Sequence, residues 1–147
     1  MSLTVSSKFP GIRATIVLDS IGPNGARLTT IEAEAPRIIL AEINTHRILS
    51  RGSASSRAVP PLRMMTRVRE EPAVPVYWGK NQPGMQAETE LEGDELKEVQ
   101  EVWDQLRLKA LEGVAKLHSL GLHKQLANRP IETWMRLGHP DDLAGSG

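Results

Sequence analysis

The feature that most constrains the fold is a repeat lying between positions 94 and 120. Leu96, Val99, Val102, Trp103, Leu106, Ala110, Val114 and Leu117 recur there at intervals of three and four residues. That spacing lines apolar side chains along one face of an α-helix, which must then be covered by the rest of the chain or by a partner. Asp94 is the expected N-cap and Gly121 the expected stop. Tryptophan on such a pattern is better explained by packing than by a cofactor box. His118 and His123 fall near the helix end, with no metal-ligand spacing around them, and take a helix-terminal or solvent role.

The 147 residues suit one domain, positions 1–147, with a modest core. Strand-forming residues at 12–18, a turn signal at Asn24-Gly25 and a second run at 27–33 predict an antiparallel hairpin. Pro36 can open a helix over 36–49, whose apolar positions are Ile38, Ile39, Ala41, Ile43 and Ile48 and whose end carries His46 and Arg47. Residues 50–56 are too small and polar for a buried element and predict a loop. Pro60-Pro61 marks a break before a short helix over 62–68, and Pro72 and Pro75 impose extended structure after it. Residues 76–86 combine Tyr77 and Trp78 with turn formers and predict an ordered loop. Residues 138–147 read as a polar tail. The expected class is α+β, an N-terminal antiparallel hairpin with packed helices.

Lys plus Arg and Asp plus Glu both total 18, so no overall field draws the chain to nucleic acid or membrane, and neither partner is expected. The charge is nevertheless sorted: Arg47, Arg51, Arg57, Arg63, Arg67 and Arg69 crowd one segment, and Glu88, Glu90, Glu92, Asp94 and Glu95 the next. Arginine without lysine favours forked recognition of phosphate or carboxylate, although exposed arginines also simply solvate a loop. The absence of cysteine removes disulfides, thiolate metal sites and a cysteine nucleophile. No stretch approaches the ~20 apolar residues of a membrane span, and the N-terminus lacks a basic start followed by an apolar core. A soluble, cytoplasmic protein is expected.

Thr45-His46-Arg47-Ile48-Leu49-Ser50-Arg51-Gly52-Ser53-Ala54-Ser55-Ser56-Arg57 is the segment that can carry chemistry. Hydroxyls from Ser53, Ser55 and Ser56, backbone N–H groups and the Arg57 guanidinium can satisfy several phosphate oxygens. A mobile serine-rich loop has the same composition.

This segment resembles the signature of the flavin-dependent thymidylate synthases: Arg-His-Arg, two residues, Ser, one residue, Asn-Glu, one residue, Ser, one residue, Arg. His46, Arg47, Ser50, Ser55 and Arg57 fall in register, while Thr45, Gly52 and Ser53 stand where the pattern has Arg, Asn and Glu. Stretches 36–42, 78–87 and 121–129 are similar to the phage-type branch of the same family, in the family's order. The resemblance implies methylation of deoxyuridylate (dUMP) to thymidylate (dTMP), with methylenetetrahydrofolate as carbon donor, FAD as hydride carrier and NADPH as reductant. A flavin route needs no enzyme thiol, which fits a chain without cysteine. By position it implies that Thr45, His46, Arg47 and Ser53 lie on the flavin. Glu42, Ser53, Ser55, Ser56, Arg57 and Arg129 lie on the nucleotide, Ser55 and Arg57 being closest to catalysis, and no metal is implied. It also implies a homotetramer whose pockets form between subunits. The family continues beyond Trp134 with further site residues, so a fragment, a shortened homologue and a homologue without turnover all remain open. Three functional classes therefore stand: flavoenzyme, flavin- or nucleotide-binding homologue, and interaction protein.

Overall fold

A computed structural model of the chain describes residues 3–6, 11–53 and 59–138. It is an α+β structure with a four-stranded antiparallel sheet in the order β1 (Leu3–Ser6), β2 (Arg13–Ile21), β3 (Arg27–Pro36), β4 (Arg136–Leu137). A 3-10 turn, Arg37–Ile39, leads from β3 into α1 (Leu40–Thr45). After it come α2 (Pro61–Glu70), α3 (Gly93–Ser119), α4 (Lys124–Ala127) and a second 3-10 turn, Arg129–Trp134. No described helix is long and apolar enough to cross a membrane.

The hairpin is longer than the sequence pattern indicates. Gly25 N–H donates to Gly22 O at 2.9 Å and Gly22 N–H to Ala26 O at 2.8 Å. Gly25 takes φ +80°, the left-handed residue that lets a turn through Pro23 and Asn24 rejoin the strand twist. A bulge between Ile16 and Leu18 breaks the pairing with β3. Beyond it Leu18, Ile21 and Leu28 are all exposed, so the outer half of the hairpin lies outside the core.

Near the tip, Arg27 grips Asp19 with both a 2.9 Å and a 2.6 Å bond, and Thr29 Oγ1 donates to Asp19 at 2.9 Å. The Arg27 bond, followed by that of Thr29, holds the Asp19 carboxyl down from 3.8 to about 2. A depressed carboxylate contributes stability that is complete above its unfolded value of 3.8 and is lost as pH falls through about 2. A side-chain carboxyl NMR titration of Asp19 should therefore show its midpoint near the lower value. A midpoint near 3.8 would mean that the network does not form.

The core gathers Val59, Met64, Val68, Leu111, Val114, Ile131, Trp134 and Met135, where α2, α3 and the second 3-10 turn meet. Burying each such side chain contributes roughly 1.5–3 kcal/mol. Two expectations for α3 need correction. Asp94 is not the cap: Glu92 occupies that place without a side-chain bond, and Asp94 lies in the first turn, where its charge favours the positive helix end. The buried arc is also rotated. Val99, Val102 and Leu106 are 37%, 49% and 54% exposed, whereas Arg107 and Leu111 are buried. The reason is the position of α2, whose last turn sits over Arg107. The Arg107 guanidinium donates to Val68 O at 3.1 Å and Arg69 O at 3.4 Å, and its Nη2 lies 2.7 Å from Asp104. At the far end the expected stop holds: Leu122 N–H donates to Leu117 O and Gly121 N–H to His118 O.

The ordered loop expected over 76–86 is closed by bonds that reach on to Leu91. Trp78 N–H donates to Glu90 Oε1, Leu91 N–H to Trp78 O and Lys80 N–H to Thr89 O. Trp78, Trp103 and Trp134 then stack edge to face, with centroids 5.7 and 5.9 Å apart, tying this loop to the core. His118 Nε2 donates to the buried Asn128 Oδ1 at 3.2 Å, and His123 Nδ1 accepts from Gln125 N–H, so both histidines act at helix ends.

Of the expected polar tail, 138–147, only Gly138 is among the described residues. Arg136 and Leu137 pair with Pro36 and Ala35, and Gly138 packs against the β3 backbone at Ala33. Residues 139–147 lie outside the described residues.

Candidate functional site

The helix expected over 36–49 is shorter, and this sets the geometry of the site. Pro36 belongs to β3, α1 ends at Thr45, and His46 already has extended backbone with ψ 94°. The chain leaves the helix at Asn44 and Thr45 because both offer polar alternatives to it. Thr45 Oγ1 donates back to Glu42 O at 2.7 Å, which competes with helical bonding, and the Asn44 side chain is engaged by Arg51. His46 and Arg47 therefore sit past the helix rather than in it.

From there the chain turns sharply. Leu49 N–H reaches His46 O at 3.4 Å, which puts Arg47 and Ile48 at the two corner positions of a turn. Both are exposed, and Arg47 has no hydrogen-bond or ion-pair partner among the described residues. Its neighbour Arg51 is the opposite case. Its Nε donates to Asn44 Oδ1 at 3.0 Å, its Nη1 to Leu49 O at 2.8 Å and also to His46 O, and its Nη2 to Asn44 O. One guanidinium thus closes residues 44–51 into a ring, while the other has no partner among the described residues.

Of the remaining expected residues, Glu42 and Thr45 share α1 and are exposed, with the Thr45 hydroxyl turned onto the backbone. Ser53 is exposed. Ser55, Ser56 and Arg57 lie outside the described residues.

Arg129, at the start of the second 3-10 turn, is tied to this region through one carboxylate. Its Nη1 pairs with Glu132 at 3.1 Å and its Nε donates to Gln125 O, while Arg37 Nε approaches the same Glu132 at 3.7 Å. Arg37 N–H also donates to Met135 O at 2.8 Å. Arg37, which opens the 3-10 turn leading into α1, and the residue expected to bind nucleotide from the far end of the chain therefore share Glu132. The Arg129–Glu132 spacing is legible as an i, i+3 pair, but nothing in the sequence marks Arg37 as its third member. Arg51 was also missed as a structural residue, because within a run of arginines its spacing carries no distinguishing signal.

The cavity lined by Met64, Arg67, Val68, Glu71, Trp134, Met135 and Arg136 has room for about one water, at ≈ 20 Å³, and is no ligand pocket. Among the described residues no three His, Asp or Glu side chains converge as a metal site. No protein-family model, curated protein or solved structure matches the chain.

Proposed function

We propose that the chain is a flavin-dependent thymidylate synthase homologue that methylates dUMP to dTMP, with methylenetetrahydrofolate as carbon donor, FAD as hydride carrier and NADPH as reductant. The observation that carries this reading is the guanidinium of Arg47, exposed and without a partner among the described residues, held at a turn corner inside the segment whose residues fall in register with that family's signature. A flavin dinucleotide presents a pyrophosphate, and a free guanidinium on a fixed turn is suited to it. FAD, when bound, supplies the hydride. The task of the chain is to bind and orient: His46 and Arg47 on the flavin, Ser53, Ser55, Ser56 and Arg57 around the nucleotide phosphate and ring, Glu42 and Arg129 at the pocket edge. Self-assembly belongs to the same reading, since the pockets of the family it resembles lie between subunits.

The test begins with the visible spectrum of the purified protein and a flavin titration. NADPH oxidation that depends on dUMP is expected, with dTMP as product. Arg47→Ala should weaken flavin binding, and Arg57→Ala dUMP binding, by at least about 10-fold, equivalent to one charge-assisted hydrogen bond of ~1.5 kcal/mol. Unchanged dUMP affinity in Arg57→Ala would remove the phosphate assignment. Binding without dTMP formation would make the chain a binding homologue.

A second reading has one specific observation in its favour. Val99, Val102 and Leu106 form an exposed apolar stripe on α3, the face on which an interaction protein would dock a partner. That reading expects neither flavin nor dUMP binding, so the same titrations separate the two.

A further inference from the structure

We propose that Arg51 is the positioning residue of the candidate site: its guanidinium clamps the turn 44–51 so that His46 and Arg47 are presented to an anionic ligand already in place. The proposal rests on the reading that Arg47 contacts a phosphate-bearing ligand, and it assigns Arg51 a role separate from that contact.

The geometry supports this in three steps. A helix end leaves its last carbonyls without intrahelical partners, and α1 has no glycine after it to supply the usual left-handed closure. The turn that follows has a single backbone bond of its own, Leu49 N–H to His46 O, at a long 3.4 Å. By itself such a turn is weakly held. Arg51 supplies what is missing: it reaches the carbonyls of Asn44, His46 and Leu49 and the Asn44 side-chain oxygen, on both sides of the turn.

Only a planar fork can do this. A guanidinium has five N–H donors, of which these contacts take four, so little of Arg51 remains for a ligand. A lysine ammonium is a point charge and cannot span carbonyls arranged around a plane. The division of labour follows: Arg51 is consumed by the backbone and Arg47 is left over. Ordering the turn in advance spares the ligand the entropy of ordering it on binding, and the gain appears as affinity.

The test uses the full-length chain with Arg51→Ala and Arg51→Lys. One readout needs no ligand: the rate of tryptic cleavage after Arg47, which follows local opening of the turn. The second is flavin affinity by titration, with far-UV thermal melts as a check that the core is intact. Arg51→Ala should cleave at least about 10-fold faster and bind flavin about 10-fold more weakly, with an unchanged melt, and Arg51→Lys should restore neither. Unchanged cleavage in Arg51→Ala overturns the clamp. Weaker flavin binding with unchanged cleavage also overturns it, because Arg51 would then touch the ligand directly. Full restoration by Arg51→Lys overturns it by showing that charge alone suffices. If the parent binds neither flavin nor dUMP, the proposed function fails and the cleavage rates alone decide whether Arg51 holds the turn.

Discussion

Arg107→Ala is expected to lower the free energy of unfolding by about 2–4 kcal/mol, a loss comparable to truncating a core aliphatic residue. The side chain is 11% exposed and lies beneath the last turn of α2, where it bonds the carbonyls of Val68 and Arg69. Removing it takes away packing by the aliphatic stem and leaves the Val68 carbonyl buried without its donor. The ion pair with Asp104 is a lesser part of the effect, because the Asp104 side chain is 54% exposed and its attraction is screened by water. Asp104→Ala should accordingly cost no more than about 1 kcal/mol. Urea denaturation of the two variants decides the matter. Equal losses would show that the ion pair, rather than the capping of α2, holds Arg107 in place.

The same residue shows what the sequence pattern conveys and what it cannot. Apolar spacing over 94–120 identifies a helix because the period belongs to the helix itself. Which flank becomes buried is decided by where α2 docks, a long-range fact. Arg107 carries the signature of a surface residue, while Val99, Val102 and Leu106 carry that of a core, and tertiary packing reverses both. The hairpin was legible for a local reason as well, since Asn24 and Gly25 mark the turn. Strand β4 was not legible, because its two residues, Arg136 and Leu137, have no period, and their pairing with Pro36 and Ala35 joins positions distant in the sequence.

In the candidate site, the small polar residues of 50–56 indicated a loop, but the apolar spacing carried the helix on to 49 and gave no sign that His46 and Arg47 would fall outside it. That outcome follows from the Thr45 hydroxyl returning to Glu42 O and from Arg51 drawing Asn44 away. Six arginines between positions 47 and 69 look alike in sequence. Two neighbours among them have opposite environments, Arg47 without a partner among the described residues and Arg51 consumed, because only one can meet the three carbonyls of the closed turn. The link between Arg37 and Arg129 depends on Glu132 lying between them, which no spacing encodes.

Gly138→Ala should be as costly as any single methyl addition to this chain, with a loss of about 2–4 kcal/mol from left-handed strain and overpacking together. Gly138 has φ +66°, and a Cβ there would stand 2.0 Å from Ala33 O and 2.9 Å from Ala33 C. The obstruction is backbone, so no change of rotamer relieves it, and β4 must move away from β3. Gly25→Ala separates the two contributions. Gly25 has φ +80° but nothing within 4 Å of the added Cβ, so only the conformational cost of about 1 kcal/mol applies. Because Met135 O accepts the Arg37 N–H next to β4, displacing β4 should also loosen the approach of Arg37 to Glu132. Amide exchange at Arg37 is therefore expected to quicken in Gly138→Ala and to stay unchanged in Gly25→Ala. Matching stability losses in the two variants would mean that Gly138 is required for its backbone angle alone, and that the close approach of β4 to Ala33 contributes nothing.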